Sequence, residues 1–235
     1  MDTWVNLVDM SAPGRRTALF TAAALAAVTL TGCAAGTTYH LRGRAELVNA
    51  LAARLDHHDA TSYTATYRLG DGSTATVTVN GEPKRIAYTF TTGRYVRTGT
   101  TIVRCTPTVC TLDDRPTTQA KTVPDVDAID AASAHRFIPA EQVLTLLMRA
   151  AEDPSTRLAR STGALAGQSV TCVDVPGSFR SCITGTGALA SFTGTVGGHR
   201  VDASLVDYQP EALGHPFGPS RTARIDDRRT APTAD

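Results

Sequence analysis

The sequence predicts an α+β fold, a single domain in which one curved antiparallel sheet is covered by two helices. Three observations carry this expectation. From Ser62 onward the apolar residues leave helical spacing and alternate strictly with polar ones. Asp71-Gly72 and Asn80-Gly81, the dipeptides of tight hairpins, punctuate that alternation. Two apolar-striped segments interrupt runs of strands instead of alternating with single ones, which argues against a parallel βαβ sheet.

The elements follow in order. Leu41–His58 carries Leu41, Ala45, Val48, Ala52 and Leu55 at helical spacing, with Leu47 and Leu51 widening the stripe. In Ser62–Leu69, Tyr63, Ala65, Tyr67 and Leu69 share one face, and Ser62, Thr64, Thr66 and Arg68 the other. Ala75, Val77 and Val79 alternate with threonines, and Ile86, Tyr88 and Phe90 continue the pattern. Short strands follow at Arg94–Thr98, Thr100–Cys105 and Cys110–Leu112, giving a meander with one apolar and one solvated, Thr-rich face. Asp113–His135 is polar, contains Pro116 and Pro124, and reads as a connecting loop. Pro139 opens a second helix whose apolar side is Val143, Leu144, Leu146, Leu147, Ala150 and Ala151, ended by Asp153-Pro154. Strands resume at Arg157–Arg160, Gln168–Val175, Phe179–Thr184, Ala188–Thr193 and Arg200–Tyr208. Residues 214–235 are charged, proline-bearing and without periodicity, so a disordered tail is expected.

Of 235 residues, 42% are hydrophobic and 19% charged, enough apolar surface for a core. Lys+Arg 23 against Asp+Glu 22 leaves a net charge of +1, without the basic excess that nucleic-acid binding needs. The N-terminus reads as an address. Arg15-Arg16, the uncharged run Thr17–Leu30 and Leu30-Thr31-Gly32-Cys33 follow the signal-peptide layout of basic, apolar and small-residue regions. The apolar run is too short for a comfortable membrane span. Leu-Thr-Gly-Cys resembles the lipobox of bacterial lipoproteins, which implies cleavage after residue 32 and acylation of Cys33. Arg15-Arg16 also carries a weak twin-arginine resemblance, and Met10 offers a second start. Residues 33–40 then form a short lipidated tether, and the protein sits on the outer face of the bacterial plasma membrane, with that membrane as its partner. Each buried CH₂ of the anchor contributes about 0.8 kcal/mol, and stable retention takes more than one chain.

Removing Cys33 leaves four cysteines, an even number for an oxidising compartment. Cys105 and Cys110 bracket a turn containing Pro107. Cys172 and Cys182 flank Val175-Pro176-Gly177-Ser178, a strong turn signal. Both pairs read as cross-hairpin disulfides; a zinc site is the competing reading, and the spacings Cys-x₄-Cys and Cys-x₉-Cys do not suit it.

The order of acylated cysteine, first helix, Ser62-Tyr-Thr-Ala-Thr-Tyr-Arg-Leu69, Leu-rich helix and further strands resembles the lipoprotein-carrier superfamily. That group comprises periplasmic carriers of the LolA type and acylated lipid-binding lipoproteins of actinobacteria (the LppX-LprG group). Gly187–Gly194 followed by Val201–Tyr208 is similar to its C-terminal hairpin. Lys84 and Lys121 are the only lysines among 23 basic residues, as a GC-rich genome would encode. The resemblance spans about Leu41 to Tyr208, within a domain expected over residues 41–213. It implies a half-open β-barrel closed by helices around an acyl-chain cavity. That cavity would lie between Tyr63, Tyr67, Val77, Tyr88 and Phe90 on the sheet and Leu144 and Leu147 on the helix. A filled core built from the same residues is the other reading.

No chemistry is nominated beside this. Gly185-Thr-Gly187-Ala-Leu-Ala190 fits a dinucleotide fingerprint, but the residues after it are strand-like instead of helical. Asp125, Asp127 and Asp130 lack the glycine and terminal glutamate of a calcium loop. His57 and His58 are adjacent and diverge on a helix; the remaining histidines are isolated. The expectation is therefore no enzyme, no metal, no cofactor and a monomer. It is either a lipid-binding lipoprotein or an envelope interaction or sensor protein with a filled core and no ligand cavity.

Overall fold

A computed structural model describes residues 35–58, 60–116, 125–214 and 216–230, with side chains from residue 43 onward. The signal segment and Cys33 lie outside the described residues. The first helix, α1 (Ala35–Asp56), precedes six strands: β1 (Tyr63–Leu69), β2 (Thr74–Asn80), β3 (Arg85–Phe90), β4 (Gly93–Arg97), β5 (Thr101–Cys105) and β6 (Val109–Asp114). Helices α2 (Val126–Ser133) and α3 (Ala140–Glu152) follow. The chain continues through β7 (Ala159–Leu165), β8 (Gln168–Val175), β9 (Phe179–Thr184), β10 (Leu189–Val196), β11 (His199–Gln209) and β12 (Arg224–Asp227).

All twelve strands belong to one sheet, ordered β12-β6-β5-β4-β3-β2-β1-β11-β10-β9-β8-β7. It is antiparallel except where β12 runs parallel to β6, and it is not closed, since β12 and β7 are its edges. The two halves of the chain join where β1 pairs with β11, with Ala65 opposite Tyr208 and Leu69 opposite Ala203. The fold is thus α+β. The inner face bears Tyr63, Tyr67, Val77, Val79, Tyr88, Tyr95, Phe179 and Phe192, which share a buried core with Leu51, Leu55, Val143 and Leu147 of the helices.

Three departures from the sequence reading have physical reasons. Helix α1 begins at Ala35, six residues before the expected Leu41, and so takes in most of the tether. No proline intervenes, and extending a formed helix is far cheaper than nucleating one. The region 113–135, expected as a loop, contains α2, capped by Asp125, whose side chain accepts from the Ala128 N–H at 3.1 Å. A good cap and the burial of Ala128 and Ala132 suffice for two turns. The sheet is therefore covered by three helices. The tail expected to be disordered from 214 instead forms a strap that ends in β12.

The strap explains a fourth departure, because the outer face is not uniformly solvated. Thr64, Thr78, Ala87, Val96, Val103 and Leu112 form one cross-strand row through six strands, and all six are buried. Phe217 and Ala223 pack on the apolar part of that row. Arg85 lies 5.0 Å over the Phe217 ring, and Arg94 donates to the Gly218 carbonyl. The chain after β11 covers Thr64, whose hydroxyl donates to the Glu211 carbonyl and accepts from the Leu213 N–H. Pairing of β12 with β6 also covers an edge that would otherwise expose unpaired backbone groups.

Candidate functional site

Both disulfides are present. Cys105–Cys110 closes the β5–β6 hairpin and Cys172–Cys182 links β8 to β9, each between directly opposed register partners. The first lies under the strap, where the Ser220 N–H approaches Cys110 Sγ at 3.4 Å.

The seven residues expected to line a cavity all reach the core, but not as one wall. Tyr63, Tyr67, Val77 and Tyr88 line a small void together with His58, Phe137, Ile138, Ala140 and Leu189. Phe90 turns aside, stacking on His135 at 4.1 Å and meeting Phe137 at 6.1 Å. Leu147 is fully buried in the shared core, and Leu144 packs at its margin. The void measures about 10 Å³, room for a single water at most. Phe137 fills the space expected to be open: its ring contacts Tyr67 at 5.1 Å and Tyr88 at 6.2 Å. Larger depressions lie outside, one of about 600 Å³ by the end of α3 and the β8–β9 turn, another of about 520 Å³ between α1 and β7–β8. Both are open to solvent.

Beside the void, a polar cluster joins the helices to β4. Arg97 Nη1 meets Asp125 Oδ2 at 2.8 Å and Nη2 meets Glu141 Oε1 at 3.6 Å, with the guanidinium only 13% exposed and the Asp125 side chain 4%. The Tyr95 hydroxyl donates to the same aspartate at 3.0 Å. Asp125 thus caps α2, pairs with Arg97 and accepts from Tyr95 at once. On the far side of Glu141, His58 Nε2 lies 3.9 Å from Oε1. Burial, with the Asp125 charge next, pushes the Tyr95 phenol well above its usual range. Burial and then the Glu141 charge do the same to Tyr88, so both phenols stay neutral donors. Arg44 of α1 in turn donates to the carbonyls of Ala150, Asp153 and Pro154, satisfying the C-terminal end of α3.

Sequence reasoning missed this cluster because Arg97, Asp125 and Glu141 are far apart in the chain. Asp127, a member of the acidic triplet, pairs with Arg104 at 2.8 Å. Among the described residues, no group of three or more His, Cys, Asp or Glu has the arrangement of a metal site. The dinucleotide-like Gly185–Ala190 is the β9–β10 turn and the first two residues of β10. Gly187, at φ +88°, is where the backbone meets α1: a Cβ there would collide with the Arg54 carbonyl oxygen.

No protein-family model and no curated protein matches the chain. Among solved structures, it is similar to an uncharacterized conserved protein from Thermus thermophilus. The TM-score is 0.46 and the identity 10%, over 77% of this chain and 99% of that one. A likeness at this level carries no argument about ligand or activity.

Proposed function

We propose that this chain is an extracytoplasmic lipoprotein, held to the outer face of the membrane through Cys33, that binds an apolar ligand without catalysis. The ligand would lie between the inner sheet face and the α2–α3 pair, and the twelve strands would act as a half-open barrel with the helices as its closure. The observation that carries this reading is the aromatic ring of Tyr63, Tyr67, Tyr88 and Phe137 around an interior void. Above it the helices attach to the sheet through side chains alone, without strand pairing.

The void is the closed state of such a chamber, and magnitudes set what opens it. Exposing Phe137, Ile138, Val143 and Leu147 costs about 1.5–3 kcal/mol each, roughly 6–12 kcal/mol in sum. An acyl chain of about 14 methylenes regains roughly 11 kcal/mol at about 0.8 kcal/mol per CH₂. Long chains balance the opening and short ones do not. The small void itself favours a second reading, an envelope interaction or sensor protein with a filled core.

Solvent extraction of the full chain carrying Cys33→Ser, followed by mass spectrometry, separates the two. The ligand-binding reading expects a co-purifying long-chain lipid near one equivalent. No lipid, and no uptake of a fluorescent long-chain probe, would leave the filled-core reading standing alone.

A further inference from the structure

The open depression between α1 and β7–β8 carries a charge pattern that the fold does not consume. Its volume is about 520 Å³, within the size of small-ligand sites. Arg44, Leu47, Leu51 and Arg54 line it from α1, at three- and four-residue steps that place them on one helix face. Leu158 and Arg160 line it from the other side. Leu47 and Leu158 are half-buried hydrophobics at the margin of the core, so the floor is apolar and the arginines stand at the rim.

The three arginines are not equivalent. Arg44 is committed to the fold, since its Nη atoms donate to the carbonyls at the end of α3. Arg54 makes a single hydrogen bond, from Nη1 to Thr171 Oγ1 at 3.2 Å, of the five that a guanidinium can donate. Arg160 is exposed and, among the described residues, has neither a hydrogen bond nor an ion pair. Register brings Arg54 and Arg160 together. Arg160 stands opposite Val173, which lies two residues along the same face of β8 from Thr171, a step of about 7 Å.

Glu46 is the one carboxylate in this lining, which leaves two positive charges without a counterpart. A group that balances them is an oxyanion of nearly double charge. A carboxylate carries one charge, whereas a phosphate monoester carries about 1.5–2 near neutral pH and accepts paired bonds from guanidinium groups. The apolar floor beside the two arginines suits an alkyl chain and not a second polar group.

We infer that the α1–β7 depression is a binding site for an amphiphile with a phosphate head, the head held by Arg54 and Arg160 and the chain laid on Leu47 and Leu158. The site lies outside the chamber proposed above and does not depend on it.

Calorimetric titration of the full Cys33→Ser chain with octyl phosphate, octyltrimethylammonium and inorganic phosphate tests it. Eight carbons fall well short of the chain length that balances opening the chamber, so these probes report on the open depression. Octyl phosphate is expected to bind at least about tenfold tighter than either of the others. Arg160→Glu should weaken it at least about tenfold and Arg160→Lys by less. Arg180→Glu, an equal change of charge outside the depression, should alter it by less than about twofold. Equal binding of octyl phosphate and octyltrimethylammonium, affinity that survives Arg160→Glu, or an equal loss with Arg180→Glu overturns the head-group assignment. Inorganic phosphate binding as tightly as octyl phosphate overturns the amphiphile. No binding of octyl phosphate overturns the site as a whole, while long-chain lipid in the solvent extract stays the separate test of the chamber.

Discussion

At the scale of single residues, Asp125 joins three interactions that are usually separate: a helix cap, an ion pair and a phenol hydrogen bond. Asp125→Ala removes the α2 cap, the acceptor of the buried Tyr95 hydroxyl and the nearer partner of Arg97 together, leaving that guanidinium only Glu141 at 3.6 Å, and should cost about 3–5 kcal/mol in urea unfolding. Asp113→Ala breaks a contact to Arg104 that is geometrically as short, at 2.7 Å, but about a third or more exposed on both sides, and should cost less than about 1 kcal/mol. Equal costs would contradict the weight placed on burial. Gly187→Ala should be the harshest of the turn substitutions. It combines a left-handed φ with backbone collision against Arg54, whereas Gly185 has nothing within 4 Å and should tolerate alanine. Sequence reasoning reached Tyr63, Tyr67, Val77 and Tyr88 because alternation places them on one face. It could not reach His58, Phe137 or Leu189, since facing across a core is set by how helices dock and not by spacing within one segment.

At the scale of elements, the alternating strands β1–β3 and the Leu-rich α3 were legible because each presents a single apolar face at its own period. The strap was not, because its strand is four residues long and borrows its order from β6. A signal for it existed elsewhere in the chain. Ile86-Ala87-Tyr88, Tyr95-Val96 and Ile102-Val103 are consecutive apolar residues, which a sheet solvated on one face does not need. They mark strands buried on both faces, and hence a cover. Phe217→Ala should destabilise by about 2 kcal/mol, less than a fully buried phenylalanine would. A chain ending at Gly214 should expose the Val96–Val103–Leu112 row and bind a hydrophobic dye that the full chain does not. Unchanged melting and no dye binding in the truncated chain would mean that the strap is not part of the outer core. Helix α2 was illegible for a different reason. Its acidic residues invite a metal-loop reading, yet Asp125 is a cap and Asp127 a surface partner of Arg104.

At the scale of the whole molecule, a near-neutral protein of net charge +1 has little electrostatic attraction to an anionic surface, so on the proposed reading membrane retention would fall to the acyl anchor. Cys33→Ser should move the protein from the detergent phase to the aqueous phase, and continued detergent partition would count against the anchor. On that reading a tethered domain near a bilayer would take ligands from it, and its interior would decide what it takes. Phe137 packs at the centre of that interior, and Arg97, Asp125 and Glu141 join the helices to β4; on the proposed reading only long apolar chains would repay the opening. The most direct measurement is mass spectrometry of the solvent extract from the purified Cys33→Ser chain. A long-chain lipid near one equivalent is the predicted result, and an empty extract from a folded protein that also refuses a long-chain probe would contradict it.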